Sequence, residues 1–166
     1  MIKISHVFIW NWIQKYRSGK HLKNKKIQVY IIDEAALKAG SYDLVWLWLV
    51  IEPIDKEILA MDISKKRNIS IAKRFLSHVV YKYGLHSVSS DGGTWYPQAC
   101  QFLKLEHHLH SSFEKSIIER TMQNIQDRTE SFDDYFPCRK NKCRLKYRKQ
   151  WFQLFVDKHN QEIISS

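Results

Sequence analysis

The sequence predicts an α/β domain built on a mixed five-stranded sheet flanked by helices, and three observations carry that expectation. A β-branched and aromatic run, Lys26-Ile27-Gln28-Val29-Tyr30-Ile31-Ile32, leads into Asp33-Glu34 and suits a largely buried strand better than a helix. Two further apolar runs follow it across short turns, the pattern of an antiparallel meander. An amphipathic helical stretch then leads into a fourth extended run, and a strand reached through a helix is most economically parallel to one already in the sheet. With 166 residues, 44% hydrophobic and 13% aromatic, the chain is long enough to bury a core for one main domain with short appendages.

Taken in order, Ser5 can cap a short helix in which Ile9, Trp12 or Ile13, and Tyr16 repeat at helical spacing, with Gly19 stopping it. Such a helix cannot bury its own face, so it is either the last helix of a small bundle or a brace on the main domain. Lys15, Arg17, Lys20, Lys23, Lys25 and Lys26 then form a basic linker, suited to phosphates or to plain solvation. The first strand leaves Asp33 at its exit, a rigidly held yet accessible place for a metal ligand. Gly40-Ser41 marks a turn, and Leu44 to Ile51 forms the second strand. Glu52-Pro53-Ile54-Asp55 turns the chain into a third strand over Lys56 to Ile63.

Asn68 or Ser70 opens a helix whose apolar face carries Ile71 or Ala72, Phe75 or Leu76, Val79 and Tyr83, and Gly84 closes it. Leu85 to Ser90 returns as the fourth strand and ends at Asp91. Pro97 suits the first turn of a helix over Tyr96 to Leu103, with a short strand around Leu105 to Leu109 after it. Ser111-Ser112-Phe113-Glu114 has the form of a capping box, so a helix should begin near Ser112 and bury Ile118, Met122 and Ile125. Glu119 is one residue round from Ile118, bordering the core while still reaching solvent. Leu145, Trp151, Phe152 and Phe155 share one face of a last helix, with Arg144, Lys146, Arg148 and Lys149 outside.

The formal net charge is +10, from 27 Lys+Arg against 17 Asp+Glu, which favours a polyanionic partner, with nucleic acid leading. A membrane partner is not expected, because the longest apolar stretch, Leu44 to Ile51, is far shorter than the roughly 20 residues of a spanning helix. Met1 to Gly19 lacks a clean apolar export segment, so a cytoplasmic, nucleoid-associated location is expected. Cys100, Cys138 and Cys143 are too few and too irregular for a disulfide framework. The Cys138/Cys143 pair would need two more ligands, from His107, His108, His110 or His159, to hold zinc; reduced thiols are the simpler reading.

If the fourth strand pairs with the first in parallel, Asp33 and Asp91 lie side by side at one sheet edge, and the late helix can bring Glu119 onto them. Three carboxylates at close range repel one another, and divalent cations relieve that repulsion. Two magnesium or manganese ions about 3.5 to 4 Å apart can activate a water or a 3′-hydroxyl and stabilise the leaving oxygen of a phosphodiester. Acids at strand ends are common, however, and Asp91-Gly92-Gly93 also reads as a simple turn. Glu114 is the rival third acid, although its capping role explains it more simply.

Longer words narrow the choice. The stretches Asp91-Gly92-Gly93-Thr94-Trp95-Tyr96-Pro97-Gln98-Ala99-Cys100, Ile117-Ile118-Glu119-Arg120-Thr121-Met122-Gln123 and Asp127-Arg128-Thr129-Glu130-Ser131-Phe132-Asp133-Asp134-Tyr135-Phe136-Pro137-Cys138 closely resemble prokaryotic, especially archaeal, DDE insertion-sequence transposases. The resemblance runs over about residues 5 to 160. It implies an RNase H-like, integrase-like fold, with Asp33, Asp91 and Glu119 as catalytic metal ligands for cleavage of transposon ends and strand transfer into target DNA. It also implies partners: terminal inverted repeats, target DNA, and further copies of the chain in a homodimer or higher oligomer. On that footing residues 1–22 are the remnant of an N-terminal helix-turn-helix, 23–137 the RNase H-like catalytic domain and 138–166 a basic C-terminal helical segment. A truncated copy is expected, because only the final helix of the family's DNA-reading head is visible. Ala35 stands where the family usually has Thr, which leaves the adjacent acid in place.

Candidate DNA contacts are Lys15, Arg17, Trp95, Tyr96, Arg120, Arg128, Arg139, Lys140, Lys142, Arg144, Lys146, Arg148 and Lys149. Trp95 and Tyr96 could stack on a frayed base or pack beneath the Asp91 loop. Arg120 and Arg128 could hold phosphates near Glu119 or pair with acids such as Asp127 and Glu130. In His107, His108 and His110, strand alternation puts the last two on one face and the first on the other, which favours packing roles. Two other classes remain open: an RNase H-like nuclease without strand transfer, and a non-enzymatic DNA-binding remnant with steep salt dependence and no need of metal.

Overall fold

The computed structural model describes residues 27–39, 43–129 and 145–164. The short helix expected over Ser5 to Tyr16, the linker lysines, the Gly40-Ser41 turn and the Cys138/Cys143 pair lie outside them. Nine elements follow in order: β1 (Val29–Ala39), β2 (Asp43–Ile51), β3 (Ile58–Ser64), α1 (Ile69–Tyr83), β4 (Ser87–Ser90), α2 (Trp95–Leu103), β5 (His107–Leu109), α3 (Ser112–Thr129) and α4 (Leu145–Ile164). The strands form one mixed sheet in the order β3-β2-β1-β4-β5. β1, β2 and β3 pair antiparallel, whereas β4 pairs parallel with β1 and β5 parallel with β4. This is the expected five-stranded arrangement, with helices on both faces.

Period-two alternation builds the two faces. Ile31, Leu37, Val45, Leu47, Leu49 and Ile51 point to one side, where Ile117, Ile118, Met122 and Ile125 of α3 and Phe152, Phe155 and Val156 of α4 cover them. Tyr30, Ile32, Trp48 and Val50 point to the other, against Ala72, Phe75, Leu76 and Val79 of α1 and Ala99 and Cys100 of α2. Trp48 is fully buried and still satisfies its one donor, with Nε1 donating to Ser64 Oγ at 2.8 Å. The Cys100 thiol is buried, and burial pushes its pKa up to about 11.

The punctuation is local chemistry. The β2–β3 turn is tied by Glu52, whose Oε2 accepts from the amides of Ile54 and Asp55, each at 2.9 Å. Asn68 caps α1, its Oδ1 accepting from Ile71 N at 3.1 Å, and Gly84 ends the helix at φ +92°, a conformation that favours glycine. At α3 the capping box forms both ways: Ser111 N donates to Glu114 Oε2 at 2.7 Å, and Glu114 N donates to Ser111 Oγ at 3.3 Å. His108 Nε2 lies 3.1 Å from Glu114 Oε1.

One element differs in a way that matters. β1 does not end at Asp33; it runs on to Ala39 because β2 stays paired with it from Ile31↔Ile51 to Ala39↔Asp43. Asp33 is therefore a mid-strand residue opposite Leu49. β4, only four residues long, stops at Ser90, so beyond Ile31↔Ser89 the β4 flank of β1 opens, and the sheet acquires its edge there.

Glu114 is almost fully buried. Burial alone would raise its pKa, but hydrogen bonds from the Ser111 amide, His108, the Ser111 hydroxyl and Ser89 outweigh it and bring the carboxyl down to about 2. A carboxyl titrating lower in the fold than its ordinary value of 4.5 contributes stability that is present above pH 4.5 and lost as the pH falls toward 2. Glu114→Ala is expected to cost on the order of 3 kcal/mol near neutral pH, with the gap from wild type closing across that acid window. Urea unfolding at stepped pH measures it; a pH-independent gap would remove the carboxylate from the cap.

Candidate active site at the β1–β4 edge

The parallel register brings two aspartates together. From Ile31↔Ser89, two more residues along each strand lead to Asp33 and Asp91. Asp33 is half-buried, and its Oδ1 accepts the Glu34 amide at 2.8 Å. Burial pushes its pKa up to about 7; the Glu34 amide opposes this, the charges of Glu34 and Asp91 add to it, and Arg67 opposes it. Asp91 is exposed and heads an Asx turn, its Oδ1 accepting Gly93 N at 2.9 Å, so the simple turn is present as well. Gly92 sits at φ +90°, a conformation that favours glycine, whereas the Leu109 Cδ2 that a Cβ would meet at 2.9 Å belongs to an exposed side chain that can yield.

Glu119 stands apart from this pair. Its side chain is 61% exposed on α3, with Lys115 Nζ 3.8 Å away one turn earlier. What links it to Asp91 is His110: burial lowers the pKa of this ring, while the charges of Glu114, Asp91 and Glu119 all act to raise it. His110 Nδ1 is 2.7 Å from Ser89 Oγ, and its Nε2 is buried without a hydrogen-bond partner. Among the described residues, no group of three or more His, Cys, Asp or Glu is gathered closely enough to hold a metal ion. Asp33 and Asp91 nevertheless have the chemistry of a hard-cation site, oxygen donors whose mutual repulsion and burial disfavour two bare charges.

The remaining zinc-ligand candidates each have a partner within the fold. His107 Nε2 contacts Ser90 Oγ at 2.8 Å, His108 faces Glu114, and His159 Nε2 lies 3.2 Å from the Lys56 carbonyl. His107 and His108 thus leave β5 on opposite sides, as alternation requires.

Behind the aspartates is a buried polar cluster that the sequence did not announce. Glu34, next to Asp33, turns to the opposite face of β1, and its side chain is 0% exposed. Arg67 Nε lies 2.6 Å from Glu34 Oε1, and the Tyr96 hydroxyl donates to Glu34 Oε2. The Arg67 guanidinium stacks between two indoles, 4.6 Å from the Trp46 ring centre and 4.2 Å from that of Trp95. Burial raises the Glu34 pKa, and the Tyr96 bond and Arg67 charge oppose that rise; burial and the Glu34 carboxylate hold the Tyr96 hydroxyl well above its ordinary pKa, as a donor. The only available signal was Glu34 beside Asp33, since Arg67 reads as one more cation in Lys65-Lys66-Arg67.

Several expected DNA contacts are corrected by burial. Tyr96 is 0% exposed and bonded to Glu34, so it cannot stack on a base, and half-buried Trp95 covers Arg67. Arg148 is 5% exposed because the α4 face bearing Phe152 and Phe155 also carries it inward. Lys149 is exposed but its Nζ lies 2.6 Å from Asp62 Oδ1. Arg128 is exposed, with its guanidinium 5.3 Å from the Phe155 ring centre, and exposed Arg120 donates to Ser116 Oγ at 3.2 Å. Lys146 is exposed on α4. Lys15, Arg17, Arg139, Lys140, Lys142 and Arg144 lie outside the described residues. Among the described residues, no helix is long and apolar enough to cross a membrane.

The fold is shared with known proteins. The HTLV-2 integrase catalytic core in complex with magnesium (trimeric form) superposes with a TM-score of 0.55 over 76% of this chain and 84% of that one, at 15% identity. The BIV integrase catalytic core matches with a TM-score of 0.50 over 64% of this chain and 72% of that one, at 11% identity. A chain of the simian T-cell lymphotropic virus intasome in complex with PP2A regulatory subunit B56 gamma gives 0.54 over 79% of this chain and 50% of that one, at 16% identity. The fold is therefore that of integrase catalytic cores, RNase H-like. In sequence, the uncharacterized protein MJ0017 of Methanocaldococcus jannaschii is 27% identical over 139 residues, 83% of this chain. The chain spans 63% of that relative's length. No family model matches.

Removing Arg67 while Glu34 stays leaves a buried carboxylate without its cation. Arg67→Met is expected to destabilise the fold by about 3 kcal/mol, and Glu34→Gln added to it to recover part of that loss. Urea midpoints of the two variants and wild type decide it; equal stability of Arg67→Met and wild type would show that the ion pair does not hold Glu34.

Proposed function

We propose that the chain carries the catalytic domain of a DDE transposase, which cleaves DNA at the ends of a mobile element and joins the freed 3′ ends to target DNA with divalent metal. The observation that carries this reading is the β1–β4 register, which sets Asp33 of β1 beside Asp91, just past the end of β4, in an integrase-like sheet. The resemblance of the Asp91, Glu119 and Asp127 words to insertion-sequence transposases supports it. So does the net charge of +10.

In this reading Asp33 and Asp91 would hold magnesium or manganese, with Glu119 as the third donor from α3. When bound, two such ions supply activation of a water or 3′-hydroxyl and stabilise the leaving oxygen. The chain's own contribution is positional. β1 fixes Asp33 through pairing on its β2 side, and the Gly92 turn fixes Asp91. Exposed Arg120, Arg128 and Lys146 contact DNA phosphates, together with Lys15, Arg17, Arg139, Lys140, Lys142 and Arg144; Lys149 would join them by leaving Asp62. The HTLV-2 core is a magnesium complex recorded in dimeric and trimeric forms. By analogy, two or more copies of this chain would act together on paired DNA ends, since two ends must be joined.

Asp91→Asn is expected to reduce manganese-dependent nicking of supercoiled plasmid by about 1,000-fold, the equivalent of roughly 4 kcal/mol of lost charge stabilisation, with the fold intact by circular dichroism. Joining of a labelled 3′-hydroxyl oligonucleotide to the plasmid separates strand transfer from simple hydrolysis. Nicking that survives in Asp91→Asn would remove Asp91 from the chemistry, and wild type that binds DNA without cutting it would favour a non-enzymatic DNA binder.

A further inference from the structure

We propose that Glu34, Arg67 and Tyr96 are positioning residues, a buried cross-link that sets the separation of the Asp33 and Asp91 carboxylates. This deepens the metal-dependent reading above and rests on it. The cross-link joins the two segments that carry the aspartates. On one side Glu34 is covalently next to Asp33, and because neighbouring residues of a strand leave on opposite faces, fixing the Glu34 side chain fixes the β1 backbone from which Asp33 departs. On the other side Tyr96 follows Asp91 through a loop stiffened by its own hydrogen bonds: Gly93 N donates to Asp91 Oδ1 at 2.9 Å and Tyr96 N donates to Gly93 O at 3.0 Å.

The hydrogen bond from Tyr96 to Glu34 thus closes a short circuit from Asp33 through Glu34 and Tyr96 back to Asp91. Arg67, from the β3–α1 connection, adds a third point of attachment at 2.6 Å, and its guanidinium lies over the Trp46 and Trp95 rings. Neither the Glu34 side chain nor Tyr96 has any exposed surface, so neither can touch DNA. Their action on the site runs through the backbone. Apolar residues of the same volume would fill this space without the desolvation of a carboxylate and a phenol, but apolar contacts tolerate sliding, whereas hydrogen bonds impose direction. A metal site needs its donors held within about 0.5 Å.

Calorimetric titration of manganese chloride into the full chain tests this, using wild type, Tyr96→Phe, Arg67→Lys and Asp91→Asn, each far below its melting midpoint as measured in EDTA. Tyr96→Phe removes one oxygen and keeps the ring; Arg67→Lys keeps the charge and removes the planar fork. The expected result is manganese binding in wild type, lost in Asp91→Asn and weakened about tenfold or more in Tyr96→Phe and in Arg67→Lys. If Arg67→Lys fails to fold, Tyr96→Phe alone carries the test. A lowered melting midpoint with manganese affinity unchanged in Tyr96→Phe would overturn the inference and leave the metal reading standing, because the cluster would then be structural only. Wild type that takes up no manganese in an Asp91-dependent way would overturn both.

Discussion

The arrangement depends on the mismatch in length between β1 and β4. β1 has eleven residues and remains paired with β2 up to Ala39, while β4 has four and ends at Ser90. A strand supported on one flank and open on the other is rigid and accessible at the same point. Asp33 occupies that point, and the parallel register leads β4 to Asp91 beside it. An antiparallel β4 would have sent the chain after Ser90 toward the other end of the sheet. The crossover through α1 therefore positions the pair, since a helical connection returns the chain to start a new strand in the same direction.

Charge inside such a sheet is costly, and Asp33, Glu34 and Glu114 meet that cost differently. Asp33 has one amide and a partly open edge, and its pKa rises to about 7. Glu34, on the opposite face, keeps its charge company with Arg67 and Tyr96. Glu114 gathers enough donors at the α3 cap to end up well below the ordinary carboxylate range. Of the three, Asp33 is the one with least local compensation. Under the proposed reading, a bound cation would supply that compensation.

The fold was legible because its signals are local and redundant. Asn68 and Gly84 bracket α1, the Ser111/Glu114 capping box starts α3, and alternation along β1 and β2 announces two buried faces. The position of Asp33 within β1 was not legible, because Ala35, Ala36 and Lys38 carry little strand preference and the extension is imposed by pairing with Leu47, Trp46 and Leu44. Nor was the Glu34–Arg67–Tyr96 cluster, which joins residues far apart in sequence, each of an ordinary surface type. Tyr96 read as a DNA contact because an aromatic beside an acidic turn has two uses, and only burial separates them.

The same distinction governs the basic residues. Net charge sets a long-range attraction to a polyanion, but counterion release upon binding depends on cations free to reach phosphates. Lys149 would have to leave Asp62, and buried Arg148 would have to leave the core. Exposed Lys146, Arg120 and Arg128 face smaller costs, since a hydroxyl or an aromatic face is easier to exchange for a phosphate than a carboxylate or a packed interior. On α4 the cations therefore divide by helical face rather than by sequence. Phe152 and Phe155 set the inward direction, and the residues pointing away from them, not the basic run as a whole, form the surface a polyanion could reach.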